Sequence, residues 1–185
     1  MAILILGVLM FIGIHCVPTF PSLRQQLVDR FGEKSYKGIF SLIALIGLAV
    51  IVIGKVLAEF VPVWQPPAWG RHVAMALMLP VFALLASANM PTNLKRYTRH
   101  PMLWGVTLWS IAHLLANGDL ASLILFGSLG TFSLVDMWSA NARGAMKSET
   151  RFSTRSDIVV VVIGIVVYGV FLFLHPYLFG VSVIL

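Results

Sequence analysis

Arg99–Gly127 reads RHPMLWGVTLWSIAHLLANGDLASLILFG, and this stretch decides the fold. From Met102 to Ala116 every residue is apolar, small or weakly polar, the composition of a helix lodged in lipid. Pro101 suits the first turn of that helix, where its missing N–H costs nothing. Asn117-Gly118-Asp119 then supplies residues that tolerate turn geometry. Leu120–Phe132 opens the next apolar run. His100 stands at the basic mouth of the segment, and His113 lies within the apolar helix. An ionisable side chain at membrane depth is a functional hypothesis by default.

Working outward, the whole chain has the same character. Of its 185 residues 59% are hydrophobic and 11% charged, against roughly 25% charged in an ordinary globular chain. The expected fold is all-α, a polytopic bundle of about six transmembrane helices in a single domain spanning 1–185. One cysteine, Cys16, excludes an intrachain disulfide. No cleavable signal is expected, because the N-terminal apolar run has no positive residues before it.

The expected spans are Ala2 to about Pro18, Ile39–Leu57, Arg71 or His72 to Ala88, Met102–Ala116, Leu120–Phe132 and Ile158 to about Leu174. Residues 22–38 read as a charged connector with an amphipathic turn or two. Residues 136–156 read as a polar loop, and His175 and Pro176 fall in an apolar tail. Pro80 is expected to kink the third span. Trp64 and Trp69 read as interfacial anchors.

The net charge of +6 is concentrated in alternate loops. The first loop carries Arg24, Arg30, Lys34 and Lys37. The third carries Lys95, Arg96 and Arg99, and the fifth Arg143, Lys147, Arg151 and Arg155. The positive-inside rule puts these loops in the cytoplasm and both termini outside. The same distribution reads as topology rather than as a nucleic-acid footprint, so nucleic acid is not an expected partner. Membrane lipid is.

The spans carry little that could do chemistry. There is no carboxylate pair in apolar surroundings, no HExxH, no cysteine cluster, no GxSxG and no phosphate loop. What remains is His15, His72, His100, His113 and His175. Histidines with aromatics in an all-helical membrane bundle suggest haem held by imidazoles from two helices. Basic residues at the mouth of such a pocket would pair with the propionates. His15 and His113 lie deepest and are the candidate metal ligands. By depth, His72 rivals His15 as the partner of His113. His100 also reads as a solvated residue at a helix start, and His72 and His175 as interfacial residues. Asn117 and Asp119 read as turn formers, Trp104 and Trp109 as core or belt residues.

Beyond these local readings, the chain resembles the NnrU family. The matching residues are Gly13-Ile14-His15 with Leu23-Arg24, Arg71-His72, Arg99-His100-Pro101-Met102 with Trp104-Gly105, the run Ala112–Asp119, and Ala121–Gly127. The resemblance covers nearly the whole chain. It implies an integral protein of the bacterial inner membrane, linked to denitrification and nitric-oxide metabolism. That family is in turn similar to the plant ζ-carotene isomerase, a membrane protein that uses haem b to isomerise a cis double bond without net redox change. This similarity implies His15 and His113 as ligands. It also implies a cysteine where this chain has Ser110, which puts a cysteine-for-histidine ligand switch in doubt. Arg99-His100-Pro101 followed by an aromatic and Gly is similar, too, to membrane methyltransferases that bind S-adenosylmethionine. The paired glutamates of those enzymes are absent; only Glu149 stands in the following loop.

The expectation is therefore a haem-b membrane protein with His15 and His113 as axial ligands. Arg24 or Arg99 would lie near the propionates, and His72 and His100 are further cofactor-binding candidates. If it is catalytic, it is a haem-dependent isomerase acting on a lipophilic small molecule. A homo-oligomer is compatible with this reading. The alternative is a methyltransferase-like protein binding S-adenosylmethionine at Arg99 and His100.

Overall fold

The structure, a computed structural model, describes residues 1–183. Its elements are α1 (Ala2–Cys16), α2 (Pro21–Phe31), α3 (Glu33–Val56), α4 (Gly70–Asn89), α5 (Leu94–Tyr97), α6 (Pro101–Ala116), α7 (Leu120–Ala142) and α8 (Thr154–Phe179). A 3₁₀ turn at Val17–Thr19 follows α1. Among the described residues five helices are long and apolar enough to cross a membrane: α1 with its following turn, α3, α4, α7 and α8. The polytopic helix bundle expected from the sequence is the architecture found.

Several boundaries differ from the expected ones. The amphipathic turns expected in the connector 22–38 are α2, which is longer than expected, and α3 begins at Glu33 rather than at Ile39. Glu33 and Lys37, one turn apart, form a 2.9 Å ion pair that lets charged residues continue the helix. Residues 136–142 are the last turns of α7 rather than loop, with Asp136 3.7 Å from Arg143. His175 and Pro176 lie within α8, which runs on to Phe179. Proline is tolerated there, as Pro80 is within α4. The expected fourth span, α6, is a helix of only 16 residues, about 24 Å long against a hydrocarbon layer of about 30 Å.

The chain folds as two compact units, residues 1–61 and the residues from Pro62 on. In the first, α1 and α3 pack antiparallel at very short range. A Cβ on Gly54 would stand 2.4 Å from the Leu4 backbone nitrogen, and one on Gly7 would stand 2.6 Å from that of Ile51. Small residues at the seam let the backbones approach, the usual means of association where lipid is as apolar as leucine. Leu9 and Leu45 accordingly point outward.

In the second unit α4 lies between α8 and α6, and α6 lies between α4 and α7. Neighbours run antiparallel. At one end Asp157 of α8 gathers the chain leaving α4. It accepts from Thr92 Oγ1 (2.7 Å), from the Asn93 backbone N–H (2.8 Å) and from Asn93 Nδ2 (2.8 Å). At the other end Arg71 of α4 donates to the carbonyls of Ser182 and Val183, each at 2.8 Å. The interior mixes the serines Ser87, Ser122 and Ser133 with Val81, Val160 and Phe126, while Val166 and Phe173 face outward. Small residues between helices and large apolar ones on the outside suit a lipid solvent.

Candidate functional site

His113 lies in the last turn of α6. Its Nδ1 is 2.9 Å from the Trp109 carbonyl, four residues back. A carbonyl only accepts, so Nδ1 carries the proton and Nε2 keeps the lone pair. The ring is stacked on Phe126 of α7, with centroids 4.5 Å apart, and tilted against Trp109 at 5.0 Å. Trp109 meets Phe126 edge-on at 4.8 Å. The imidazole is thus oriented by one hydrogen bond and braced by two aromatic rings.

One turn earlier on α6, Ser110 is buried against Gly130 of α7. A Cβ on Gly130 would come within 2.9 Å of the Ser110 Cβ. Ser110 Oγ is buried, and among the described residues it has no hydrogen-bond partner. Helix α6 ends where the sequence placed its turn. The Asn117 side chain donates to the His113 carbonyl at 2.8 Å. Asp119 caps α7 through the Ser122 backbone N–H at 3.0 Å and the Ser122 hydroxyl at 2.5 Å. The Gly118 carbonyl accepts from the backbone N–H groups of Val63 and Trp64.

His15, in the first unit, repeats the chemistry of His113. Its Nδ1 is 2.7 Å from the Phe11 carbonyl, again four residues back. Its ring is stacked on Phe11 at 4.2 Å and edge-on to Phe40 of α3 at 5.1 Å. The same tautomer follows, with the lone pair on Nε2. Arg24, also in this unit, lies over the Tyr36 ring at 5.5 Å and 3.8 Å from Glu33.

His175 shares the tautomer, with Nδ1 2.7 Å from the Val181 carbonyl. His72 is exposed. Arg99 and His100 are not brought to His113: they stand at the opposite end of α6, about 20 Å away along the helix axis. There the guanidinium Nη1 of Arg99 and the Nε2 of His100 both lie 3.0 Å from Asn141 Oδ1. Asn141 is not legible as a site residue in the sequence, where residues 136–156 read as loop. Helical continuation of α7 to Ala142 is what turns it toward α6. Among the described residues no group of three or more His, Cys, Asp or Glu could hold a bare metal ion.

The class of molecule is then a polytopic membrane helix bundle whose apolar helices carry imidazoles of fixed tautomer. The chain belongs to the NnrU family: a family model described as NnrU protein matches residues 3–183. No curated protein and no solved structure matches it.

Proposed function

We propose that this protein binds haem b in the bacterial inner membrane, with His113 in the second unit and His15 in the first each a candidate imidazole ligand. The observation that supports this reading is the shared state of the two side chains. Each Nδ1–H is held by its own helix, so each Nε2 is basic and fixed in direction, the usual arrangement behind a metal-ligating histidine. Phe126 and Trp109 at His113, and Phe11 and Phe40 at His15, supply apolar ring surfaces suited to a flat macrocycle. Ser110 Oγ adds a buried polar atom in want of a partner. Arg24 is the basic residue that could meet a propionate in the first unit.

When bound, haem would supply a redox-active iron whose properties follow its axial ligands. The residues of this chain would orient the ligand nitrogens and exclude water around them. The proposed role is either one linked to nitrite and nitric-oxide metabolism or, if the protein is catalytic, cis–trans isomerisation of a lipophilic polyene, in which no atoms are gained or lost. By the loop charges, both termini are proposed to be periplasmic.

The test is the absorption spectrum of the detergent-purified protein from cells supplied with haem, oxidised and then dithionite-reduced. A Soret band with sharp reduced bands is expected. It should be lost or shifted to a high-spin form by His113→Ala and by His15→Ala, and unchanged by His72→Ala and His175→Ala. A featureless visible spectrum removes the proposal. A Soret band indifferent to His113→Ala removes that ligand.

A further inference from the structure

The end of the second unit remote from His113 has a different chemistry. Lys95, Arg96, Arg99, Arg143, Lys147, Arg151 and Arg155 all belong to it. Its carboxylates are largely committed elsewhere: Asp136 lies beside Arg143, and Asp157 is taken by Thr92 and Asn93. Among the described residues neither Arg99 nor Lys147 is in an ion pair.

Arg99 is nevertheless fixed in place. A guanidinium can only donate, so the Asn141 atom 3.0 Å from it is the amide oxygen. The same oxygen faces His100 Nε2 at 3.0 Å, so that nitrogen donates as well. An amide oxygen orients both donors without neutralising either, as a carboxylate would. The charge is left for something else.

Beside this cluster is a hollow of about 370 Å³ whose walls divide by chemistry. Arg99, His100, Asn141 and Lys147 form one side. Trp104 of α6 and Leu134 and Trp138 of α7 form the other. Trp138 is 73% exposed and Trp104 44%, a costly display unless the rings lie at a membrane interface. A second hollow, of about 420 Å³, shares Arg99 and His100 and adds Lys95 and Ser148.

We propose that this cationic, tryptophan-walled hollow between the ends of α6 and α7 binds an anionic phospholipid, the phosphate held by Arg99, His100 and Lys147 and the chain laid along Trp104, Leu134 and Trp138. Juxtaposed cations attract anionic headgroups, and the phosphate oxygens match the fork of a guanidinium. The apolar wall distinguishes the site from a simple anion patch. The proposal is independent of haem.

The probe is phosphatidylglycerol with dibrominated chains, which quenches nearby tryptophans, compared with dibrominated phosphatidylcholine in mixed micelles of the full-length protein. Saturable quenching at lower concentrations of the anionic lipid is expected, its amplitude reduced by Trp138→Phe. Arg99→Gln and Lys147→Gln should each weaken binding about five-fold. Arg99→Lys should restore much of it. Arg155→Gln, which removes a cation from the same end but outside the hollow, should leave it unchanged. Should Arg99→Gln misfold, Lys147→Gln carries the test, since that side chain lies in an exposed loop.

Equal quenching by the two lipids overturns the proposal, as does an Arg155→Gln loss equal to that of Arg99→Gln, which would mark diffuse charge attraction. Displacement of the lipid by inorganic phosphate alone at comparable concentration makes the ligand a free anion and rejects the chain-binding wall. Displacement by S-adenosylmethionine makes it a nucleoside-cofactor site instead.

Discussion

Gly118 sits in the turn between α6 and α7, and its backbone is approached by a distant part of the chain. A Cβ there would stand 1.9 Å from the Trp64 carbonyl oxygen. The same glycine accepts the Val63 N–H at 2.8 Å and the Trp64 N–H at 3.1 Å, so the 62–64 strand of chain cannot step back without losing both. Gly118→Ala should therefore lower stability by about 2–3 kcal/mol, read as a fall in the thermal midpoint in detergent. Gly169→Ala in α8, where a Cβ meets nothing within 4 Å, should be neutral or slightly stabilising. A Gly118→Ala midpoint equal to wild type would show that the loop is not held there. The turn roles of Asn117 and Asp119 were legible because those residue types act locally, each on its own helix end. The demand on Gly118 was not, because it comes from Trp64, far off in sequence. The histidines divide in the same way. Depth in an apolar run singles out His15 and His113, but the tie from each ring to a carbonyl one turn back depends on side-chain rotamer, which a run of residue types does not fix.

At the scale of elements, apolar runs located the helices and charge misplaced their ends. Glu33–Gly38 and Asp136–Ala142 read as loop because they hold charged or polar residues, yet they are helical. A helix leaving the hydrocarbon layer needs no apolar face, and ion pairs along it suffice. What sequence periodicity could not supply is which helices touch. The α1–α3 contact rests on glycines whose absent side chains are the contact. Gly54→Ala should force the helices apart, since a Cβ would lie 2.4 Å from the Leu4 nitrogen and 2.5 Å from its Cα. Neither atom can rotate away. Gly38→Ala, on the same helix and facing open space, should be tolerated. If the two variants melt alike, the close α1–α3 approach is wrong. Because His15 lies on α1 with Phe40 of α3 at its edge, Gly54→Ala should also disturb that imidazole.

At the scale of the whole molecule, the short helix α6 raises the question of how it crosses. Its two ends coincide with the ends of its longer neighbours in the second unit: the start of α4 at Gly70 abuts Leu115, and Asn141 near the end of α7 meets Arg99 and His100. Irregular chain beside both ends of α6 has polar groups satisfied by protein, which would let it make up the missing length. Residues 63–64 bond to Gly118 at one end, and Asn93 is held by Asp157 and Phe152 at the other. Non-helical backbone at such depth is allowed only where protein supplies its hydrogen bonds. The segments before α4 and after α7 then emerge on opposite faces of the membrane, and the cations lie on the second. In the orientation proposed from the loop charges, that face is the cytoplasmic one. In a Cys16→Ser background, Gln65→Cys should react with a membrane-impermeant maleimide in intact spheroplasts. Thr150→Cys should react only after lysis. Labelling of both in intact spheroplasts would mean that α6 does not carry the chain across. Labelling of Thr150→Cys alone would invert the orientation, and would put the cationic hollow on the opposite face from the anionic cytoplasmic leaflet.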